Sequence, residues 1–236
     1  TVSIGNGYGT NQLDFGNTAK CCDNCTEPYP LSYQVALQAN VEYSLVNHLC
    51  HGASNTLATV LPNPPGGTEL RKYAGGAFIS YTFDPDDLAW MPDGNASLNP
   101  GEGFTIKSPE ATTLTFTGCE PTNCPLPCLP TNVCVLVGRL GIGTATWNDL
   151  SSCPPPCGTR VSRWNGTGYD DAYDYVNGSW TPQAPVLGVG ESAFVCLLAN
   201  TNCCEDSFTL TCATNKTVPV GAQWSFDPPI VSDPCC

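Results

Sequence analysis

The chain has 236 residues, 8 basic against 21 acidic side chains for a formal charge of −13, and 16 cysteines, 23 glycines and 22 prolines. So acidic a balance repels nucleic-acid phosphates and anionic lipid headgroups, which excludes nucleic acid as an expected partner. Charged residues make up only 12% of the chain, too few to solvate long amphipathic helices, so a turn-rich all-β fold is expected.

Cysteine at this density fits a compartment where disulfides persist, outside the cytosol. All are expected to be disulfide-bonded: Cys21, Cys22, Cys25, Cys50, Cys119, Cys124, Cys128, Cys134, Cys153, Cys157, Cys196, Cys203, Cys204, Cys212, Cys235 and Cys236. With no initiator methionine at Thr1 and no apolar run long enough to cross a bilayer, the chain reads as a mature secreted product without membrane insertion. Sequons at Asn24, Asn95, Asn165, Asn177 and Asn215 are candidate glycosylation sites and should lie on the surface.

Residues 1–40 read as a terminal arm with a cysteine cluster at Cys21, Cys22 and Cys25. Its apolar residues Val2, Ile4, Tyr8, Leu13 and Phe15 are spaced through Gly, Asn and Thr, and Val2 and Ile4 alternate like the start of a strand. Such an arm suits addition to a sheet edge, on its own domain or on a neighbouring molecule. The Cys22-x-x-Cys25 pair lacks a second pair at zinc spacing and a surrounding βαβ pattern, which leaves the disulfide reading.

Residues 41–118 read as a first antiparallel β domain. β-prone runs over 41–49, 68–73, 77–83, 103–107 and 112–117 are separated by Pro, Gly, Asn and Asp. A short helical turn is expected over 55–61, with Asn55 as N-cap and Pro62 as its stop. Residues 119–132 form a linker stiffened by cysteine and proline. Residues 133–214 form a second β domain with runs over 134–138, 159–164, 172–176, 193–198 and 208–212, and residues 215–236 are a C-terminal tail.

The two domains read as copies. Shifted by 91 positions, Pro64, Pro65, Gly67, Thr68 and Gly75 meet Pro155, Pro156, Gly158, Thr159 and Gly166. Leu70, Lys72, Tyr73 and Phe78 meet Val161, Arg163, Trp164 and Tyr169, which keep their chemistry. Each copy continues into a Trp-x-Pro (Trp90 to Pro92, Trp180 to Pro182) and a Gly-Glu turn before a strand, GEGFTI at 101–106 and GESAFV at 190–195. The expected fold is therefore all-β: two tandem homologous antiparallel domains, sandwich or barrel-like, disulfide-rich, with arms at both ends. The pattern resembles a tandem β-repeat of secreted and surface proteins of verrucomicrobial and planctomycetal bacteria. That resemblance implies an extracellular setting and brings no catalytic residues with it.

Candidate chemistry is sparse. Glu102 and Glu191 occupy equivalent positions in the repeated turn, where an acid and base pair is conceivable, but recurrence in both copies favours carboxylates that accept hydrogen bonds from turn amides. Asp84, Asp86, Asp87, Asp170, Asp171 and Asp174 offer oxygens that suit calcium, without the spacing of a regular calcium loop. His48 and His51 flank Cys50, a conceivable zinc set that competes with a disulfide for Cys50. Tyr73, Phe78 and Trp90, matched by Trp164, Tyr169 and Trp180, read as core, leaving Tyr173 and Tyr175 as candidates for a glycan-stacking face. No cofactor and no catalytic residue is expected. The leading expectation is a structural subunit of an extracellular fibre, sheath or surface layer that binds copies of itself; the alternative is a secreted carbohydrate-binding module or adhesin.

Overall fold

The computed structural model describes residues 22, 25, 29–52, 54–122, 124, 126, 129 and 132–197. The arm residues Val2, Ile4, Tyr8, Leu13 and Phe15, the run 208–212, the tail 215–236, Asn24, Asn215 and Cys21, Cys128, Cys203, Cys204, Cys212, Cys235 and Cys236 lie outside the described residues.

The alternation of LSYQVAL, with Tyr33 and Leu37 buried and Ser32, Gln34 and Ala36 exposed, builds β1 (Leu31–Leu37). This stretch falls within the segment expected to be an arm. β2 (Glu42–Val46) follows, then the single-turn helix α1 (Leu57–Val60). The helix N-cap is Thr56, not Asn55. Thr56 and Thr59 exchange side-chain and backbone bonds in a capping box, while the Asn55 Oδ1 accepts the His51 N–H at 2.7 Å and so serves the preceding loop.

β3 (Glu69–Ala74) and β4 (Ala77–Asp84) form a hairpin, followed by the short β5 (Ala89–Met91), then β6 (Gly103–Lys107) and β7 (Thr112–Gly118). After the linker come β8 (Cys134–Gly138), α2 (Trp147–Leu150), β9 (Thr159–Arg163), β10 (Asp171–Val176), β11 (Ser179–Thr181) and β12 (Ser192–Leu197). In α2 the Asp149 carboxylate reaches back to accept from the Thr146 N–H at 2.9 Å and its hydroxyl at 2.8 Å.

All strand pairings are antiparallel. One five-stranded sheet has the order β2-β6-β3-β4-β5, the other the order β8-β12-β9-β10-β11, and a separate ribbon pairs β1 with β7. The two five-stranded orders are the same order, element for element. Local details recur with them: the Gly67 N–H donates to Phe83 O and the Gly158 N–H to Tyr175 O, both at 2.9 Å. The Thr68 and Thr159 hydroxyls donate to Pro65 O at 2.6 Å and Pro156 O at 2.7 Å. The Met91-Pro92 and Thr181-Pro182 bonds are both cis.

The first core lies between its five-stranded sheet and the β1–β7 ribbon, closed by α1; Tyr33, Leu70, Trp90, Phe104, Ile106 and Phe116 are among its buried members. The second gathers Val135, Val137, Trp147, Val161, Tyr173 and Val195 under α2. Each fully buried large apolar side chain contributes about 1.5–3 kcal/mol. A disulfide closing a loop as long as that of Cys25 and Cys119, separated by 94 residues, contributes roughly 4–5 kcal/mol. Packing therefore defines the scaffold and the disulfides fasten it.

The fastening is concentrated at one node. Cys22 bonds Cys50 and Cys25 bonds Cys119, while Cys50 and Cys119 exchange two backbone hydrogen bonds of 2.9 Å. Gly118 is required beside this node, since a Cβ there would lie 2.3 Å from Cys50 O. A third disulfide joins directly opposed Cys134 and Cys196 on β8 and β12. Cys124 and Cys153 are also disulfide-bonded, and Cys157 lies half-buried at the turn before β9. These bonds suggest an oxidising environment, unlike the cytosol. No helix among the described residues is long and apolar enough to cross a membrane.

Candidate functional site

A β-sheet has two faces, and the first sheet uses both. Leu45, Leu70, Phe104 and Ile106 point into the first core, so Ser44, Val46, Gly103 and Thr105, which alternate with them along β2 and β6, point the other way. They are buried all the same. What covers them is the equivalent face of the second sheet, with Leu136, Gly138, Ser192 and Phe194.

The contacts across this seam are reciprocal. By strand register Val46 corresponds to Gly138, Leu45 to Val137, and the Gly101-Glu102 turn to Gly190-Glu191. The Val46 N–H donates to Gly190 O at 3.0 Å and, in return, the Gly138 N–H donates to Gly101 O at 3.1 Å. Bridges pair Leu45 with Glu191 and Glu102 with Val137. Residue i meeting j while the equivalent of j meets the equivalent of i is the signature of an isologous, two-fold contact. Val46 and Gly138 meet on the axis: a Cβ on Gly138 would lie 2.6 Å from the Cβ of Val46, and one on Gly103 would lie 2.7 Å from Leu136 Cγ. Glycine is used here for close approach, and either side chain would force the sheets apart.

His48 breaks the symmetry. In the first sheet the Gly101 N–H donates directly to Asn47 O at 2.8 Å. In the second, the His48 ring stands between the corresponding groups: Nε2 accepts from the Gly190 N–H at 2.7 Å and Nδ1 lies 2.9 Å from Arg139 O. An Nε2 that accepts carries no proton, so Nδ1–H is the donor to Arg139 and the ring is neutral. Burial pushes its pKa below the usual histidine value, outweighing the opposite pull of the Arg139 carbonyl.

The two turn glutamates hold the seam from either side. Glu102, buried, pairs with Lys72 at 2.7 Å and accepts the Asn99 N–H at 2.9 Å; Lys72 also donates to Ser97 O. Burial raises the Glu102 pKa against the pull of Lys72. Glu191 repeats the arrangement in a wetter setting, pairing with Arg163 at 2.9 Å and accepting the Gly188 N–H at 2.7 Å. Both therefore act as turn-amide acceptors paired with a cation.

Along one flank the seam is aromatic. Phe194 takes the edges of Tyr73 at 4.6 Å, Tyr169 at 4.5 Å and Phe78 at 5.9 Å, and Trp164 packs on Tyr169 at 5.0 Å. Ser44 hydrogen-bonds with the Tyr169 hydroxyl at 2.8 Å and with Ser192 at 2.7 Å. Burial pushes the Tyr169 pKa up to about 12, so this hydroxyl stays neutral. Beside it opens a cavity of about 230 Å³ lined by Glu42, Tyr43, Ser44, Arg163, Trp164 and Glu191.

No family model, curated protein or solved structure matches this chain.

The aromatic residues expected in the cores are thus divided. Trp90 is core and Trp180 packs on the second core, but Tyr73, Trp164 and Tyr169 meet across the seam and Phe78 is over a third exposed. Tyr173, a candidate for a stacking face, is buried in the second core because it pairs in register with Val161. Tyr175 meets Trp180 edge to face at 5.2 Å. Cys50 is disulfide-bonded and both His48 nitrogens are engaged, so the histidine and cysteine set does not converge. The acidic clusters are divided too: Asp174 pairs with Arg160 at 2.7 Å, Asp171 with Arg163 at 3.7 Å, and Asp84 accepts the Asp86 N–H. Asn95, Asn165 and Asn177 are exposed.

Proposed function

We propose that the chain is a structural subunit of an extracellular assembly, a fibre, sheath or surface layer, built of two homologous β domains fused into a pseudo-two-fold unit and joined to its neighbours through residues 1–15. The observation that carries this reading is the use of the buried polar groups. His48, Lys72 and Glu102 each complete a contact that locks a turn or the two sheets, and none of the three lines the seam cavity. The disulfides and the resemblance of the repeated strand to surface-protein repeats fit a secreted, rigid, glycosylated building block whose partner is itself. Sedimentation of the purified oxidised chain over a concentration series tests it: large assemblies are expected, and they should disappear on deletion of residues 1–15. A chain that is monomeric at every concentration refutes the reading.

One observation favours the carbohydrate-binding alternative. The seam cavity combines Trp164 and Tyr43 with Arg163, Glu42 and Glu191, a mixture that suits a sugar ring. Glycan binding lost in Trp164→Ala by an otherwise folded monomer would favour that alternative.

A further inference from the structure

We propose that the outer edge of β7, at Thr113 and Thr115, is the acceptor site for residues 1–15 of a second copy of this chain. This rests on the assembly reading above and names the surface it uses. The backbone groups of β7 alternate between two sides. Cys119 exchanges hydrogen bonds with Cys50, and the Thr117 carbonyl meets the His51 ring at 3.2 Å, so the odd-numbered residues point away from β1. Thr113 and Thr115 point the same way, and among the described residues their N–H and C=O groups have no backbone partner. An unpaired edge of this kind recruits an extended chain.

The groove beside this edge explains why the chain does not cover it with its neighbouring segment. It is lined by Leu61, Pro62, Asn63, Pro64, Pro65 and residues 112–115, with a volume of about 240 Å³. The three prolines have no N–H to offer the Thr113 and Thr115 carbonyls. Its length runs along residues 112–115 of a strand, which suits one added strand.

Charge selects the occupant. In a chain of formal charge −13, two copies repel wherever acidic faces meet. Neither wall of the groove carries a charge: residues 52–68 and 111–118 have no Asp, Glu, Lys or Arg, and residues 1–15 carry a single charged side chain, Asp14. Direction distinguishes a second copy from the chain's own segment. Cys22 and Cys25 are fastened at the Cys119 end of β7, so the chain's own preceding residues, laid along this edge, would run parallel to β7. A second copy is free to add antiparallel, the slightly more stable pairing.

The test uses the full oxidised chain. Thr113→Pro and Thr115→Pro together remove the outward N–H groups, a change edge strands tolerate, and the exposed Gln34 Nε2–H to Thr115 Oγ1 bond of 3.3 Å, and leave the β1-facing backbone groups of Thr112, Leu114 and Phe116 in place. The double variant is expected to keep the wild-type near-ultraviolet circular dichroism and to sediment as a monomer. Independently of that variant, hydrogen exchange at the Thr113 and Thr115 amides should be at least about 10-fold slower in wild-type assemblies than in monomers of the chain lacking residues 1–15. If the double variant assembles as wild type and these amides exchange equally fast in both states, the acceptor site is wrong while the assembly reading stands. Protection of the amides in a wild-type monomer at every dilution would assign the edge to the chain's own segment and overturn the second-copy proposal. A wild type that never assembles and leaves the amides unprotected defeats the assembly reading itself.

Discussion

Replacing His48 with glutamine, and titrating both proteins, measures what the interposed imidazole does. The neutral ring accepts at Nε2 and donates at Nδ1; protonation would place a second N–H against the Gly190 N–H, now 2.7 Å from Nε2. Around the ring stand the Tyr33 ring edge at 5.0 Å, the Tyr33 hydroxyl, committed to Val46 O, and the Arg139 guanidinium, turned to Thr144 O and Asp149. Among the described residues no carboxylate bonds the imidazole to favour its charge. Burial holds the folded-state pKa below the ordinary value of 6.5, so the unfolded chain takes up the proton first. The stability contributed by the neutral ring is then fully present above pH 6.5 and is lost as pH falls, at about 1.4 kcal/mol per unit, until the folded-state pKa is reached. Glutamine can keep one of the two hydrogen bonds, which costs about 1 kcal/mol at neutral pH, and it does not titrate. Urea unfolding of both chains with disulfides intact, at pH 7.5, 6.5 and 5.5, should show a wild-type advantage that shrinks as pH falls. Parallel stability curves over that range would refute the relay.

Glu102→Gln leaves the Lys72 ammonium buried without its counterion and should cost about 3–5 kcal/mol, whereas Glu191→Gln, at a half-exposed pair, should cost about 1 kcal/mol or less; equal costs in denaturant unfolding would mean that burial does not separate the two pairs. Gly138→Ala should destabilise by about 1–3 kcal/mol through overpacking on the axis, while Gly94→Ala, whose Cβ would meet only an ordinary contact at 3.5 Å from Ala58, should be close to neutral in the same assay. Thiol labelling of the denatured, unreduced chain should find few free thiols, and four or more would contradict an oxidised framework.

The strands around tight turns are legible in the sequence because their punctuation is local. Gly75-Gly76 between β3 and β4 carries positive φ at both positions, and the flanking runs can only fold back on each other. β1 is harder to read although Tyr33, Val35 and Leu37 alternate, because its flanking cysteines and prolines read as arm. Helix α2 has its signal in Thr146 and Asp149, spaced as a capping box, but a single turn offers no apolar periodicity to support it. The seam is hidden for a different reason. Periodicity tells which residues share a face, not that both faces of one sheet will be buried, so nothing marks Ser44, Gly103 and Gly138, all within expected strand runs, as contact residues. Nor does sequence show that His48 would reach into the turn of the other sheet, 142 positions away.

The pair on the axis, Val46 against Gly138, has a consequence for how such a molecule can vary. Two separate identical chains meeting across a two-fold axis must present the same residue to each other there. A first sheet docked on another first sheet would set valine against valine and collide; a second on a second would set glycine against glycine and leave a void. With both sheets in one chain, one side can be a knob and the other a hole, so each half fits the other better than it fits a copy of itself. Having both sheets in one chain thereby directs pairing within the molecule.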